Sequence, residues 1–106
     1  GKNAQIIRMD GHGVPEILDA ILRVFPLDTY IEKPVNLMEV MPGDDVQTPI
    51  WDVYKKTVEK YDERGKNAIG EIERFKFYEE TKTAYAVIAT SEKALYANIM
   101  LQKGVV

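Results

Sequence analysis

The sequence has 106 residues, with 14 basic and 17 acidic side chains and no cysteine. A chain of this length fits one domain, spanning residues 1–106, that buries roughly 65% of the surface of its unfolded form. The mixed charge includes no basic stripe for nucleic acid, no apolar run approaches the roughly 20 residues of a membrane span, and the lack of thiols excludes disulfides and favours a reducing, cytoplasmic location.

The first third of the chain predicts a strand, a turn and a helix. Residues 4–9 form the short apolar run AQIIRM, which ends at Asp10-Gly11 and is typical of a buried strand. Pro15 suits the first turn of a helix, and Pro26 would end it. Between these prolines, apolar residues recur at helical spacing: Ile17, Leu18, Ile21, Leu22 and Phe25.

The turn between the strand and the helix reads Gly-His-Gly, at residues 11–13. Free amides there could hold an anion, but the pattern is a weak fingerprint and a plain turn is commoner. His12 is the only histidine, and a lone loop histidine is more often solvated than catalytic. Since no second histidine or acidic cluster lies at metal-ligand spacing, we expect no metal site.

Two extended segments, residues 27–33 and residues 35–41, are predicted on either side of Pro34. Asp28 follows a helix-ending proline, a position where Asp most often forms a turn or a cap. The polar loop PGDDVQ comes next, at residues 42–47. Its acidic pair could bind a cation, but a solvated loop is the commoner explanation because calcium needs more oxygen ligands in a defined spacing.

A second helix is predicted from Pro49 to about residue 64, with Gly65 behind it. Its aromatic and apolar residues fall on one face at helical spacing: Trp51, Tyr54, Val58 and Tyr61. That face is typical of core packing. Stacking of the Trp51 end on a sugar or on a neighbouring subunit is the less favoured interpretation.

The last third predicts loose alternation over residues 67–75, a short helix over residues 77–83, and a strand over residues 84–90 that is buried on both faces. A polar turn and a further apolar strand follow. We therefore expect an α/β fold of three layers, with a mixed β-sheet flanked by helices. Four polar side chains fall at element ends, where α/β proteins keep their ligand groups: Arg74, Tyr78, Tyr96 and Asn98.

Several blocks of this sequence resemble the fucose mutarotase family, which is grouped with ribose pyranase in one sugar-interconverting superfamily. The blocks are IIRMDG, FPLDTYIEKPVNLMEV, TPIWDVY, ERFKFYEE, AYAVIATSEKALYAN and IMLQKGVV. The resemblance covers nearly the whole chain. It implies a cofactor-independent enzyme that interconverts the α and β anomers of L-fucose, or of a related monosaccharide, as a homo-oligomer with sites near subunit interfaces.

Members of this family carry an upstream Gly-His-Gly-Asp-Glu segment whose histidine is the proposed proton donor, and we expect the given chain to lack that segment. His12 stands at a different place in the family pattern, so it is not assigned this role. The family pattern makes Asp28 the leading acid/base candidate, with Tyr96 as a second catalytic group. The residues expected to bind substrate are Arg74, Tyr96, Ala97 and Asn98.

The resemblance leaves the sugar open. Tyr96-Ala97-Asn98 is typical of the pyranase branch, whereas the fucose branch usually has Tyr-Gly-Asn. Arg74 resembles the fucose branch, because the pyranase branch usually has His there, although an ordinary salt bridge to Glu71 or Glu79 is the bland interpretation. Two alternatives therefore remain: D-ribose pyranase-like activity, and a monosaccharide-binding module without turnover.

Overall fold

Strands and helices alternate along residues 5–105, which are the residues that this computed structural model describes. The elements are β1 Gln5–Met9, α1 Val14–Val24, β2 Val35–Met38, α2 Pro49–Tyr61, a 3₁₀ turn Gly65–Ala68, β3 Ile69–Ile72, α3 Arg74–Thr81, β4 Ala86–Thr90 and β5 Ile99–Leu101. The predicted α/β class with a mixed sheet is confirmed. Ala4, the first residue of the predicted first strand, lies outside the described residues.

The strands of residues 5–105 divide between two sheets. A three-stranded sheet has the order β3-β2-β5, in which β2 is parallel to β3 and antiparallel to β5. A two-stranded parallel sheet joins β1 to β4. The mixed pairing thus belongs to the three-stranded sheet alone.

The main core lies between α1, α2 and the three-stranded sheet. Tyr54 and Val58 of α2 are fully buried, as is Val35 of β2. Leu18 of α1 and Leu37 of β2 also belong to this cluster. The spacing of apolar residues along the second predicted helix therefore identified its core-facing side.

Residues 27–33 do not form the predicted strand. Leu27 makes one isolated bridge with Lys103, and the chain then bends until β2 begins. The Asp28 carboxylate accepts a hydrogen bond of 2.8 Å from the Tyr30 backbone N–H. This hydrogen bond stabilises a turn, so the backbone here does not pair with a neighbouring strand. Asp commonly forms such turns shortly after a proline.

Helix α3 begins three residues earlier than predicted. The Glu73 carboxylate accepts hydrogen bonds from the backbone N–H groups of Phe75 (2.9 Å) and Lys76 (3.1 Å). These bonds satisfy amides that a helix start leaves free, so residue 74 is already helical. The alternating pattern corresponds to a strand only over Ile69–Ile72.

Helix α2 ends at Tyr61 rather than near residue 64. Asp62 takes an extended conformation, and its carboxylate accepts from both the backbone and the guanidinium of Arg64. Gly65 then adopts a φ of 57°, in the left-handed region that glycine occupies without strain.

Strand β4 is not buried on both faces as predicted. Its residues alternate between half-buried and exposed, and Val87 keeps 38% of its surface open. Within residues 5–105, β4 pairs only with β1, and β1 is itself mostly exposed. No helix in this described part of the chain is long and apolar enough to cross a membrane.

Candidate functional site

Three chain segments meet at one edge of the three-stranded sheet, the edge formed by the carboxyl ends of β2 and β3. The register pairs Met38 with Ile72 across β2 and β3, and Leu37 with Ile99 across β2 and β5. The chain therefore leaves β2 and β3 at the same edge where it enters β5. This is the edge at which α/β sheets commonly bind ligands.

Arg74 stands at this edge as the first residue of α3. Its Nη1 donates to the thioether sulfur of Met41 at 2.7 Å, and its guanidinium carbon lies 5.3 Å from the centre of the Phe75 ring. Its Nε is buried and has no hydrogen-bond partner among the described residues. Because a thioether is a weak acceptor, the guanidinium retains donors that suit the oxygens of a ligand.

Tyr96 brings a phenol to the same edge. Its hydroxyl donates to the Asp44 carboxylate and accepts from the Met41 backbone N–H at 3.2 Å. The bond to Asp44 raises the pKa of Tyr96 above its ordinary value, whereas the bond from Met41 and the charge of Arg74 act in the opposite direction. Met41 thus contacts two of the four predicted substrate-binding residues, Arg74 and Tyr96.

The turn that carries Tyr96 is held by buried aromatic residues of α2. Trp51 Nε1 donates to the Tyr96 carbonyl at 2.8 Å, and the Tyr54 hydroxyl donates to the Ala97 carbonyl at 2.6 Å. Tyr96 itself has a φ of 54°, a left-handed conformation that is uncommon for a bulky residue. Such strained residues persist where neighbours fix them, and they concentrate at functional sites.

Burial keeps Tyr54 a hydrogen-bond donor by raising the pKa of its phenol, with a smaller effect from the charge of Glu92. The predicted core role of Trp51 and Tyr54 is confirmed. Each side chain also carries one polar atom that fixes the Tyr96–Ala97 backbone. Their sequence spacing indicated the core face and gave no sign of this second role.

Asn98 is exposed, and its side chain lines an open groove of about 410 Å³. The groove runs between α3 and the β1–β4 sheet, where Phe77, Tyr78 and Val87 also line it. Tyr78 lies four residues after Arg74, on the same side of α3. The groove follows α3 from Phe77 onward, and Arg74 precedes it on the same helix.

Asp28 lies away from this edge. Its backbone N–H donates to the Gln102 carbonyl at 2.9 Å, beyond the far end of β5. Gln102 lies four residue steps beyond Asn98 in extended chain, which is roughly 13 Å along the strand. Within one chain, the structure brings Arg74 and Tyr96 together and leaves Asp28 at the opposite edge of the sheet.

His12 makes a hydrogen bond of 2.9 Å with the Glu16 carboxylate, one turn along α1, and both side chains are exposed. The backbone N–H of Val14, at the helix start, donates to the Glu92 carboxylate at 2.9 Å. The anion that the Gly-His-Gly turn could accommodate is therefore, at Val14, a side chain of the protein itself. Residues 5–105 contain no group of three or more His, Cys, Asp or Glu side chains arranged to hold a metal.

Asp44 and Met41 are site residues that the sequence reasoning missed. The paired Asp44 and Asp45 were noticed, but they were interpreted as a solvated loop. Their position directly after β2 was the available signal, because loops at the carboxyl ends of parallel strands carry ligand groups. The partner of Asp44 is 52 residues away in sequence, so no local pattern could indicate the contact.

Several known proteins are similar to this chain in sequence and in fold. The model of the RbsD / FucU transport protein family matches residues 2–106. Fucose mutarotase of Homo sapiens is 47% identical over 102 residues, which cover 93% of this chain and 65% of the human protein. This chain thus spans about 65% of the length of the curated vertebrate relatives that it matches.

Two crystal structures share the fold at high identity. FucU from Bifidobacterium longum is 65% identical, with a TM-score of 0.96 over 100% of this chain and 74% of the other. The fucose mutarotase of Streptococcus pneumoniae, in complex with L-fucose, is 44% identical, with a TM-score of 0.89 over 96% of this chain and 71% of the other.

Proposed function

This chain belongs to the RbsD / FucU transport protein family, and we propose that it interconverts the α and β anomers of L-fucose, or of a closely related monosaccharide. The observation that carries this proposal is the structural match to a fucose mutarotase in complex with L-fucose. The mutarotase from Homo sapiens gives independent support from sequence.

We propose that the sugar is held by Arg74, Tyr96, Ala97 and Asn98. Arg74 offers a planar set of donors, one of which is buried without a partner among the described residues. Tyr96 presents a phenol, and Asn98 presents both a donor and an acceptor. Ala97 holds its place between them through the bond from Tyr54 to its carbonyl.

Ring opening needs a group that takes the proton of the anomeric hydroxyl and a group that protonates the ring oxygen. Both are proton transfers, and neither requires electron transfer or a covalent intermediate. Tyr96 is the proposed catalytic group at the Arg74 edge. The sequence-based expectation that no cofactor takes part stays a prediction.

Asp28 remains the second proposed acid/base group, on the condition that it comes from a neighbouring chain. Its distance from Arg74 and Tyr96 along β5 favours a site built between two subunits. Exposed apolar side chains of the β1–β4 sheet also favour association: Ile6 is 73% exposed and Ile7 43%. Light scattering should then give a mass several times that of one chain, and a monomer would contradict this arrangement.

The choice of sugar rests on Arg74. A guanidinium fork can hold two neighbouring hydroxyls in fixed geometry, which an imidazole cannot do. Ala97 in place of glycine is the feature that keeps a D-ribose pyranase-like activity as the second candidate. A cytoplasmic location also stays a prediction.

The experiment that tests the proposal is anomeric exchange measured by NMR magnetisation transfer, with L-fucose and D-ribose in parallel. The wild-type protein should exchange L-fucose faster than buffer does. Arg74→Lys keeps the charge and removes the fork, so it should lower the exchange rate by roughly tenfold or more. Arg23→Lys, on the exposed side of α1, is the matched control and should leave the rate unchanged.

Three other outcomes would contradict different parts of the proposal, the first two its function and the third its site. Faster exchange of D-ribose alone would indicate the pyranase-like activity. Saturable binding of L-fucose without accelerated exchange would indicate a binding module. Full exchange in Arg74→Lys would remove Arg74 from the site.

A further inference from the structure

The hydroxyl of Tyr96 has nearly all of its hydrogen-bonding capacity committed within the protein. A phenol carries one proton and two acceptor positions. The proton is donated to the Asp44 carboxylate, and one acceptor position takes the Met41 backbone N–H. One acceptor position is left, so a sugar hydroxyl at Tyr96 must donate its proton toward the phenol oxygen.

A tight turn arranges both protein partners of this hydroxyl. Residues 41–44 read Met-Pro-Gly-Asp, and the Asp44 N–H donates to the Met41 carbonyl at 3.0 Å. Gly43 has a φ of 93°, so the turn has the proline, the glycine and the hydrogen bond of type II. Proline and glycine in these positions restrict the loop, and the Met41 N–H and the Asp44 carboxylate are thereby held around one oxygen atom.

Two charges of opposite sign lie near the Tyr96 phenol. Asp44 contributes a carboxylate that is bonded to the hydroxyl, and Arg74 contributes a cation at the same edge. A phenol is protonated near neutral pH even at its ordinary pKa of about 10, and the bond to Asp44 raises the pKa of Tyr96 further. A protonated phenol alone is a poor base, but a phenol that can pass its proton to a carboxylate is a competent one.

We propose that Asp44 is a positioning residue that acts through Tyr96, receiving the phenol proton as Tyr96 takes the proton of the anomeric hydroxyl. This inference rests on the proposed mutarotase function and names the base for its ring-opening step. It assigns a role to a loop carboxylate that the sequence pattern left as solvated.

The ring-opening step consists of coupled proton transfers and the cleavage of one carbon–oxygen bond. The anomeric O–H proton moves to the Tyr96 oxygen, and the Tyr96 proton moves to the Asp44 carboxylate. The electron pair of the broken O–H bond forms the carbonyl, and the bond between the anomeric carbon and the ring oxygen breaks. The ring oxygen takes a proton from water or from a second acid of the site, and closure on the other face reverses each transfer.

The test compares Asp44→Asn with Asp45→Asn, which makes the same change at the next residue of the loop. Asp44→Asn should lower kcat for L-fucose exchange by about 10²-fold with little change in KM, which is the effect of losing one positioned proton acceptor. Asp45→Asn should leave both parameters unchanged. Asp44→Glu, which restores the carboxylate, should recover part of the lost rate.

A second readout follows the Tyr96 ring itself. In a pH titration monitored by the ¹³Cζ signal of Tyr96, Asp44→Asn should lower the pKa of the phenol toward its ordinary value of about 10. This titration tests the contact itself, because the hydrogen bond to Asp44 is what raises the pKa of the phenol, whereas the fall in kcat at unchanged KM tests the role of Asp44 in proton transfer.

The two proposals fail in different ways. If L-fucose exchange is fast in wild type and equally fast in Asp44→Asn, the role of Asp44 is wrong and the mutarotase function stands. An unshifted Tyr96 titration in the variant would likewise contradict the Asp44 contact. If wild type does not accelerate exchange, the mutarotase function is wrong, and so is the proposed proton transfer from Tyr96 to Asp44.

Discussion

The two sheets of this protein are built from similar apolar sequences and have opposite environments. In the three-stranded sheet, Val35 is fully buried and Leu37 is 1% exposed. In the two-stranded sheet, Ile6 of β1 is 73% exposed. The difference arises because α1 and α2 pack against the first sheet. An apolar run therefore predicts a strand, and only the neighbouring elements determine whether that strand is buried.

Two of the four proposed sugar-binding residues belong to the well-packed region. Tyr96 and Ala97 pack against the main core, and α2 holds their backbone through Trp51 and Tyr54. A site supported in this way keeps its geometry without the ligand. The exposed two-stranded sheet is the surface that we propose for association between chains.

The largest expected contrast in stability is between a buried and an exposed strand residue. Leu37→Ala should lower the free energy of unfolding by about 2–5 kcal/mol, because it removes packed side-chain atoms and leaves a cavity. Ile6→Ala should cost less than about 0.5 kcal/mol in the dissociated chain. Urea unfolding at low protein concentration measures both.

Leu95→Ala is a control matched to the first variant in side chain, since Leu95 is 62% exposed. An equally large loss in Ile6→Ala under dissociating conditions would contradict the distinction between the two sheets.

The next effect in size concerns the anchor between α2 and the Tyr96 turn. Tyr54→Phe removes the donor to the Ala97 carbonyl in a buried setting and should cost about 1–3 kcal/mol. It should also weaken L-fucose binding, because the turn loses one of its two anchors. Thermal or urea unfolding, together with a sugar titration, measures both consequences.

Tyr61→Phe makes the same change seven residues along the same helix. The Tyr61 hydroxyl donates to Asp19 at 2.9 Å near the surface, where water can replace it. Its loss should cost about 0.5 kcal/mol and leave sugar binding unchanged. Equal effects of the two variants would mean that the Ala97 contact contributes nothing particular to the site.

The smallest effect concerns the loop that carries Asp28. The bond from the Arg64 side chain lowers the pKa of Asp62 below its ordinary value of 3.8. A depressed carboxyl pKa contributes stability that is present above the unfolded-state pKa and is lost as pH falls through the folded-state pKa. Asp62→Asn should therefore cost at most about 1 kcal/mol at neutral pH and flatten the loss of stability below about pH 4.

Arg64 also donates to the carbonyls of Asp28 (3.1 Å) and Ile31 (3.0 Å), so this pair ties the Asp28 loop to the end of α2. The exposed Asp52 supplies the matched Asp→Asn control on α2 itself. If Asp62→Asn lost as much unfolding free energy below pH 4 as the wild type does, the Asp62–Arg64 ion pair would add no stability.

Some of this architecture follows from local sequence and some does not. The apolar spacing of α2 predicted its buried face because helical periodicity is a property of neighbouring residues. Pro26 predicted the end of α1 for the same reason. The early start of α3 depends on the Glu73 side chain, a capping contact that the pattern of residues 67–75 did not indicate.

The candidate site was likewise predicted in part from the sequence. Arg74 and Tyr96 were predicted from the family pattern, and the structure places them at one edge. Asp28 was expected beside them, but its chain position puts it at the other end of β5. The contact between Tyr96 and Asp44 spans 52 residues and depends on the pairing of β2 with β5, which a single sequence does not encode in any local signal.

The most direct test of the central claim is a titration of the ¹⁵N-labelled protein with L-fucose, followed by amide chemical shifts. The account predicts that the largest shifts fall on the amides of Met41, Gly43 and Asp44, on Arg74 and on residues 96–98. Shifts confined to the Gly-His-Gly turn and the start of α1, with none at those positions, would contradict it.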